Sequence, residues 1–143
     1  MRRALLAVVA AVLLAAPAAA QGTVQVQALP AFDQTRFYDQ AAFERAIAPY
    51  AAAIARNAND ARAHYWLGVA YLHMARLHRF GLAPYAADFG RRAVVSLERA
   101  LSLQPAPEVM LALLDAYTMV GAVEKYRALA ARLAALARPV AVR

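Results

Sequence analysis

The sequence contains no cysteine, and this absence limits its chemistry. Without a thiol the chain can form no disulfide and no cysteine-based metal site, and it offers no cysteine for lipid attachment. Glycine is scarce, at five residues, and no glycine-rich phosphate-binding loop is present. After the N-terminal region, no run is long and apolar enough to cross a bilayer. The 143 residues are nevertheless 63% hydrophobic, largely through alanine, which favours helices.

The N-terminus carries the pattern of an export signal. Two arginines precede an apolar run over residues 4–16, which is followed by Pro17 and by small residues up to Ala20. The run is shorter than the roughly 20 residues that a membrane anchor needs, so we expect cleavage after Ala20; a retained anchor is the alternative. We therefore predict a signal peptide at 1–20 and a periplasmic or secreted protein.

Apolar residues spaced three and four apart predict about five helices after an extended leader at 21–36, which shows no helical period. The predicted helices cover residues 37–56, 61–79, 84–103, 107–119 and 122–137. The helical domain spans residues 37–138, and a short tail follows at 139–143. Pro49 lies inside the first helix and predicts a kink or two abutting segments there. Short turns make neighbouring helices antiparallel, so the predicted fold class is all-α.

Turn and capping residues mark the ends of these helices. Asp60 is a candidate N-cap for the second helix, Gly81 a C-terminal stop, and Pro84 suits the first turn of the third helix. The fifth helix is expected to bury an apolar stripe of Val123, Tyr126, Leu129, Ala130, Leu133 and Leu136.

An internal repeat is visible in the helical region. The pattern Ala46-x3-Tyr50-x2-Ala53-Ile54 recurs about 47 residues later as Ala93-x3-Leu97-x2-Ala100-Leu101. The pattern Leu67-Gly68-x2-Tyr71 likewise recurs about 46 residues later as Leu113-Leu114-x2-Tyr117. Two separate patterns with nearly the same spacing indicate a repeated hairpin.

These residues resemble the tetratricopeptide repeat family. Residues 67–71, Leu-Gly-Val-Ala-Tyr, are similar to the signature of its first helix, and residues 93–105 are similar to its second helix and closing proline. The residues expected to pack the repeats are Trp66, Leu67, Gly68, Tyr71, Ala93, Leu97, Ala100, Pro105, Leu113 and Tyr117. Over residues 43–137 the resemblance implies a short α-solenoid of stacked antiparallel hairpins that binds a protein or peptide. An unrelated alanine-rich helical bundle is the alternative.

The resemblance also indicates a groove on the inner face of the first-type helices. The corresponding residues are Arg62, Tyr65, Val69, Leu72, His73, Leu111 and Asp115. They are mostly aromatic and aliphatic, so the predicted groove suits an apolar or amphipathic segment of a partner.

The repeat spacing exceeds the family period of 34 residues by about twelve, and the extra residues fall between Tyr71 and Ala93. If they lengthen the second and third helices, the hairpin projects by about 9 Å. The residues expected near the tip of this hairpin, as a second partner-binding surface, are Arg76, Arg79, Phe80, Tyr85, Phe89, Arg91 and Arg92. The alternative is that Phe80, Tyr85 and Phe89 fold back onto the first helix or the leader.

No pattern of catalytic residues stands out, and no cofactor is expected. The carboxylates are scattered singly, and His64, His73 and His78 lack the spacing of a metal motif, so we predict neither an enzyme nor a metal site.

The formal charge of +7 leaves a second function open, which is electrostatic binding of an anionic envelope polymer or membrane surface. The residues that could form such a basic stripe are Arg91, Arg92, Arg99, Arg127, Arg132 and Arg138. Nucleic acid is not an expected partner of an exported chain, membrane association is not expected after cleavage, and self-association stays open.

Overall fold

The computed structural model describes residues 28–137, which contain five α-helices and one short 3₁₀ turn. In chain order the elements are α1 (Gln40–Arg56), α2 (Ala61–Arg79), the 3₁₀ turn Pro84–Ala86, α3 (Phe89–Leu103), α4 (Pro107–Val120) and α5 (Val123–Leu136). This arrangement confirms the predicted all-α fold of a short helical solenoid. The predicted signal peptide at 1–20 lies outside the described residues, as do the first part of the leader and residues 138–143. Within the described range, no helix is long and apolar enough to cross a membrane.

The first two helices begin at aspartate caps. Asp39 accepts a hydrogen bond from the backbone N–H of Ala42 at 2.7 Å, so α1 begins three residues later than the predicted start at Phe37. Asp60 accepts from the N–H of Ala63 at 2.9 Å, and α2 has its predicted bounds. Pro49 lies within α1, which is a single helix, so the alternative of two abutting segments is wrong. Pro49 has no backbone N–H to donate to the carbonyl four residues earlier. Because Pro49 is exposed, water has room to form a hydrogen bond with that carbonyl instead.

The end of α2 is closed by a glycine in the left-handed region. Gly81 has φ of 75°, and its N–H donates to the carbonyl of His78 at 2.9 Å while the N–H of Leu82 donates to Leu77 at 3.0 Å. This pair of bonds satisfies two of the last helical carbonyls, and the predicted stop at Gly81 is confirmed. Gly121 ends α4 with a similar φ of 71°.

The predicted third helix is wrong at its start, because α3 begins at Phe89 and not at Pro84. Residues 84–86 instead form a 3₁₀ turn, which is tighter than an α-helix. The turn buries Ala83 and Ala86 and lets the hydroxyl of Tyr85 donate to the backbone carbonyl of Tyr38 at 2.7 Å.

The core consists of two clusters on either side of α2. The first lies between the leader, α1, α2 and the 3₁₀ turn, and its largest members are Phe43, Tyr50 and Met74. The second lies between α2, α3, α4 and α5 and contains Leu97, Met110 and Leu113 among others. Of the residues predicted to pack the repeats, the fully buried ones are Gly68, Ala93, Leu97, Ala100, Leu113 and Tyr117, and the half-buried ones are Trp66, Leu67 and Tyr71. Pro105 lies exposed in the turn before α4.

The described part of the leader belongs to the first cluster. Phe32 is buried, stacks on Tyr38 with ring centroids 5.0 Å apart, and meets the edge of Phe43. The hydroxyl of Tyr50 donates to the carbonyl of Pro30 at 2.7 Å. The leader therefore covers α1, which has no preceding helix in the described chain to pair with.

The apolar stripe predicted for α5 is only partly buried. Leu129 is covered by the second cluster, whereas Val123, Tyr126 and Leu136 are exposed, so the prediction that these three are buried is wrong. The reason is that α5 packs chiefly against α4, and no later helix covers its other side within residues 28–137.

Candidate protein-interaction site

An open cleft of about 360 Å³ lies where the start of α2 faces the turn between α3 and α4. We call it the aromatic cleft, and its lining consists of Ala61, Arg62, Tyr65, Trp66, Ala100, Gln104, Ala106, Glu108 and Val109. The cleft forms because a stack of antiparallel hairpins brings the end of α3 and the start of α4 back to the start of α2.

Two aromatic side chains give this cleft its character. The rings of Tyr65 and Trp66 meet edge to face with centroids 4.9 Å apart. Trp66 packs against the first core cluster and Tyr65 against the second. These core contacts fix the positions of both rings in the cleft. Burial, and to a smaller extent the nearby carboxylate of Glu108, raises the pKa of the Tyr65 hydroxyl above its ordinary value. Arg62 adds an exposed guanidinium to the lining.

The seven residues predicted for an inner groove do not form one continuous surface. Arg62 and Tyr65 line the aromatic cleft, and Leu111 is 58% exposed one helical turn beyond Glu108 on α4. Val69 and Leu72 are buried inside the domain and are not accessible to a partner on this surface.

The leader and an ion pair lie at the remaining groove positions. His73 Nε2 is 3.2 Å from the carbonyl oxygen of Arg36, so the leader passes over this part of α2. Asp115 forms a salt bridge with Arg76, which links α4 to α2. Arg76 was predicted for the hairpin tip, but the structure places it beside this groove residue. Of the seven predicted groove residues, only Arg62, Tyr65 and Leu111 therefore remain open to a partner.

The extra residues between α2 and α3 largely fold back. Tyr85 and Phe89 pack against the first core cluster, each in contact with the ring of Phe43, as the fold-back alternative describes. Phe80 differs, because it follows α2 directly and is 79% exposed. The prediction of two extended helices is therefore wrong for α3, and the predicted tip is divided between core and surface.

Four of the arginines predicted for a basic stripe form hydrogen bonds or ion pairs with nearby side chains. Asp88 accepts from Arg91 Nε at 2.8 Å and from Arg92 Nε at 3.4 Å, and these bonds, that of Arg91 first, lower the pKa of the Asp88 carboxyl. Arg99 donates to Asn59 at 2.7 Å, and Arg127 pairs with Glu124 on α5. Arg132 lies on the exposed face of α5, and Arg138 lies outside the described residues.

The three histidines lie apart and contact different backbone carbonyls. His64 is next to Ala58 and His78 is next to Ala83, while His73 contacts the leader. No group of three histidine, cysteine, aspartate or glutamate side chains that could hold a metal ion occurs between residues 28 and 137.

The sequence predicted Arg62 and Tyr65 as groove residues, and both line the aromatic cleft, but it did not indicate the opposite wall. Gln104, Ala106 and Glu108 belong to the turn region between α3 and α4, where no apolar periodicity draws attention to them. The antiparallel arrangement of the helices could have indicated these residues, because it places the turn between α3 and α4 beside the start of α2.

Comparison with protein families gives one informative match. Residues 36–74 match a family model described as a TPR repeat, and this range covers α1 and most of α2. No curated protein and no solved structure gives a match. The matched helices belong to an all-helical stack of the kind that TPR repeats build, so residues 36–74 are similar to a TPR repeat, a type of repeat whose stacked helices present binding surfaces for other proteins.

Proposed function

We propose that this protein is an exported interaction module that binds a segment of a partner protein in the aromatic cleft. The observation that carries the proposal is the exposed mouth of this cleft between α2 and α4, with the Tyr65–Trp66 pair set in it. Aromatic and arginine side chains are the types enriched in binding hot spots. Export is the part of the proposal that rests on the sequence pattern of residues 1–20.

The chemistry of the cleft favours a segment that is apolar at one position and polar on either side. A volume of about 360 Å³ lies within the range of pockets that enclose compact apolar groups, so an aliphatic or aromatic side chain of the partner fits it. Arg62 and Glu108 can bind the backbone or polar side chains that flank that position. Leu111 extends the apolar contact along α4.

Affinity capture with matched tyrosine variants tests this proposal. The chain is immobilised and used to capture proteins from an envelope extract of its source, and the capture is repeated with Tyr65→Ser and Tyr65→Phe. We expect Tyr65→Ser to lose the specific partner and Tyr65→Phe to keep it, because the ring supplies the contact area. Tyr126→Ser on α5 is the control, since it removes an exposed tyrosine that is not part of the cleft lining.

Retention of the same partner by Tyr65→Ser at wild-type level, with unchanged thermal stability of the variant, would contradict the proposal.

Measurements at increasing ionic strength distinguish binding of a protein segment in the cleft from binding of an anionic polymer. A polymer complex weakens steeply as salt rises, whereas an interface centred on Tyr65 and Trp66 changes little.

A further inference from the structure

A second cavity, of about 660 Å³, lies at the opposite end of α2 from the aromatic cleft. It is enclosed by the end of α2, the 3₁₀ turn, the start of α3 and the end of α4, and its lining includes Ala75, Arg79, Gly90, Arg91, Met119 and Val120. We call it the basic pocket. Arg79 lies 17 residues after Arg62 on α2, which is about 25 Å along the helix axis, so the two cavities are separate sites.

The basic pocket owes its shape to the extra residues that lengthen this hairpin. The 3₁₀ turn and the last turn of α2 both lie between Tyr71 and Ala93, where the spacing exceeds the period of the repeat family by about twelve residues. Part of the pocket lining therefore comes from residues that exceed the regular repeat length.

The floor of the pocket is apolar and closely packed. A Cβ atom at Gly90 would lie 3.2 Å from Val120 Cγ1 and 3.4 Å from Met119 Cγ, so the start of α3 lies directly against the end of α4. Val120 is 39% exposed, which leaves part of this floor accessible. A short apolar side chain of a ligand can therefore contact the floor without rearranging the helices.

The rim of the pocket carries more positive than negative charge. Arg79 donates to the sulfur of Met119 at 3.7 Å and forms no ion pair with a carboxylate among the described residues. Asp88 is shared between Arg91 and Arg92, so its single charge cannot neutralise both guanidinium groups. Arg79 can therefore bind a carboxylate through paired hydrogen bonds, whereas Arg91 already contacts Asp88 through Nε and Nη2 and adds positive charge to the rim.

We propose that the basic pocket binds an acidic segment of a partner protein. In this arrangement an aliphatic side chain of the segment contacts Val120 and Met119, one flanking aspartate or glutamate carboxylate binds Arg79, and a second is attracted by the positive charge of Arg91. A recess that combines an apolar floor with two guanidinium groups at its rim matches an acidic amphipathic peptide in both shape and charge. This site does not depend on the aromatic cleft.

Selection from a random-peptide library, followed by binding measurements on the selected peptides, tests the proposal. The full chain is the target, and affinities of fluorescent selected peptides are measured by anisotropy. We expect peptides in which acidic residues flank an aliphatic one. The double substitution Arg79→Gln with Arg91→Gln should weaken their binding by at least about ten-fold. Val120→Glu, which places a carboxylate on the floor, should weaken it as much.

The matched control is Arg45→Gln with Arg56→Gln, which removes the same charge from exposed positions on α1. It should change the affinity by less than about two-fold if the pocket is the site. Equal weakening by both double variants would mean that only net charge matters and would overturn the proposal. Selected peptides without acidic residues, or binding that survives all pocket substitutions in folded variants, would overturn it as well.

Membrane binding is distinguished in the same experiment. Vesicles of phosphatidylglycerol are added as a competitor to the labelled peptide. Peptide affinity that depends on Arg79 and Arg91 supports the proposal. Vesicle binding that requires both arginines, without selection of any acidic peptide, would assign the pocket to lipid headgroups and overturn it.

Discussion

Gly68 on α2 and Leu97 on α3 contact each other at the centre of the repeat hairpin. A Cβ atom at Gly68 would lie 2.6 Å from Leu97 Cγ and 3.3 Å from the Leu97 backbone nitrogen. Leu97 is fully buried in the second core cluster, so its side chain has little space to move away. The glycine is therefore needed for close approach of the two helices, although glycine is a poor helix former.

The substitution Gly68→Ala should lower the free energy of unfolding by about 1 kcal/mol. Helix propensity favours alanine by about 1 kcal/mol, but overpacking against Leu97 costs about 1–3 kcal/mol and outweighs it. In a Leu97→Ala background the overlap with the leucine side chain is gone and only the 3.3 Å contact with the backbone nitrogen remains, so helix propensity should prevail and the same substitution should stabilise. Urea denaturation of the four proteins measures this change of sign, and stabilisation by Gly68→Ala in both backgrounds would contradict the role of Leu97.

At the scale of elements, the leader performs the packing role of a helix. Together with the residues that join it to α1, the leader buries Phe32 and Tyr38 against α1 and α2, and the backbone carbonyls of this segment accept hydrogen bonds from Tyr50 and Tyr85. An isolated α1 would expose Phe43 on the side that the leader covers. The leader therefore completes the first layer of the stack.

Two phenylalanines in the segment before α1, one in the leader and one just after it, provide a matched test of this role. Phe32→Ala should lower the free energy of unfolding by about 3 kcal/mol, because it removes a buried ring. Phe37→Ala should change it by less than about 0.5 kcal/mol, because that ring is exposed. Equal effects of the two substitutions in urea denaturation would show that the leader is not part of the core.

A hydrogen-bonded group links the last three helices. Glu98 Oε1 on α3 accepts from the Tyr117 hydroxyl of α4 at 2.8 Å and from Lys125 Nζ of α5 at 2.7 Å. Burial alone would raise the pKa of the Glu98 carboxyl, but the bonds from Lys125 and Tyr117 outweigh it, so the pKa lies below its ordinary value. Because the folded pKa is depressed, the stabilisation is present above the unfolded pKa and is lost as the pH falls through the folded one.

The substitution Glu98→Gln should therefore destabilise the protein at neutral pH, and the difference from the wild type should shrink below about pH 4. The side chain of Glu98 is 37% exposed, so screening limits the effect to below about 1 kcal/mol. Tyr117→Phe removes one of the two bonds and should show a smaller difference. Thermal denaturation across this pH range provides the measurement, and a difference that stays constant into acid would contradict the assignment.

The sequence predicts the helices well because apolar spacing reports which face of a helix is buried. It does not report which neighbour covers that face, so the exposure of Val123 and Tyr126 on α5 was missed. Proline at position 84 suits the first turn of an α-helix and of a 3₁₀ helix alike, which is why the start of α3 was misplaced. The packing of Phe32 follows from tertiary contacts and leaves no periodic signal.

At the scale of the whole molecule, two cavities open at opposite ends of α2 and differ in chemistry. The aromatic cleft pairs Tyr65 with Trp66, whereas the basic pocket presents Arg79 and Arg91 over an apolar floor. Between them the surface of α2 is covered by the leader and by the Arg76–Asp115 ion pair. A stack of so few helices can thus offer two small, separate binding sites.

The emission of Trp66 tests the central claim most directly, because Trp66 is the only tryptophan in the chain and lies in the aromatic cleft. A peptide from the captured partner that carries no tryptophan is titrated into the protein. We expect a saturable change in Trp66 emission in the wild type and in Tyr126→Ser, and no such change in Tyr65→Ser. Binding of that peptide without any change in Trp66 emission would contradict the claim that the cleft is the interaction site.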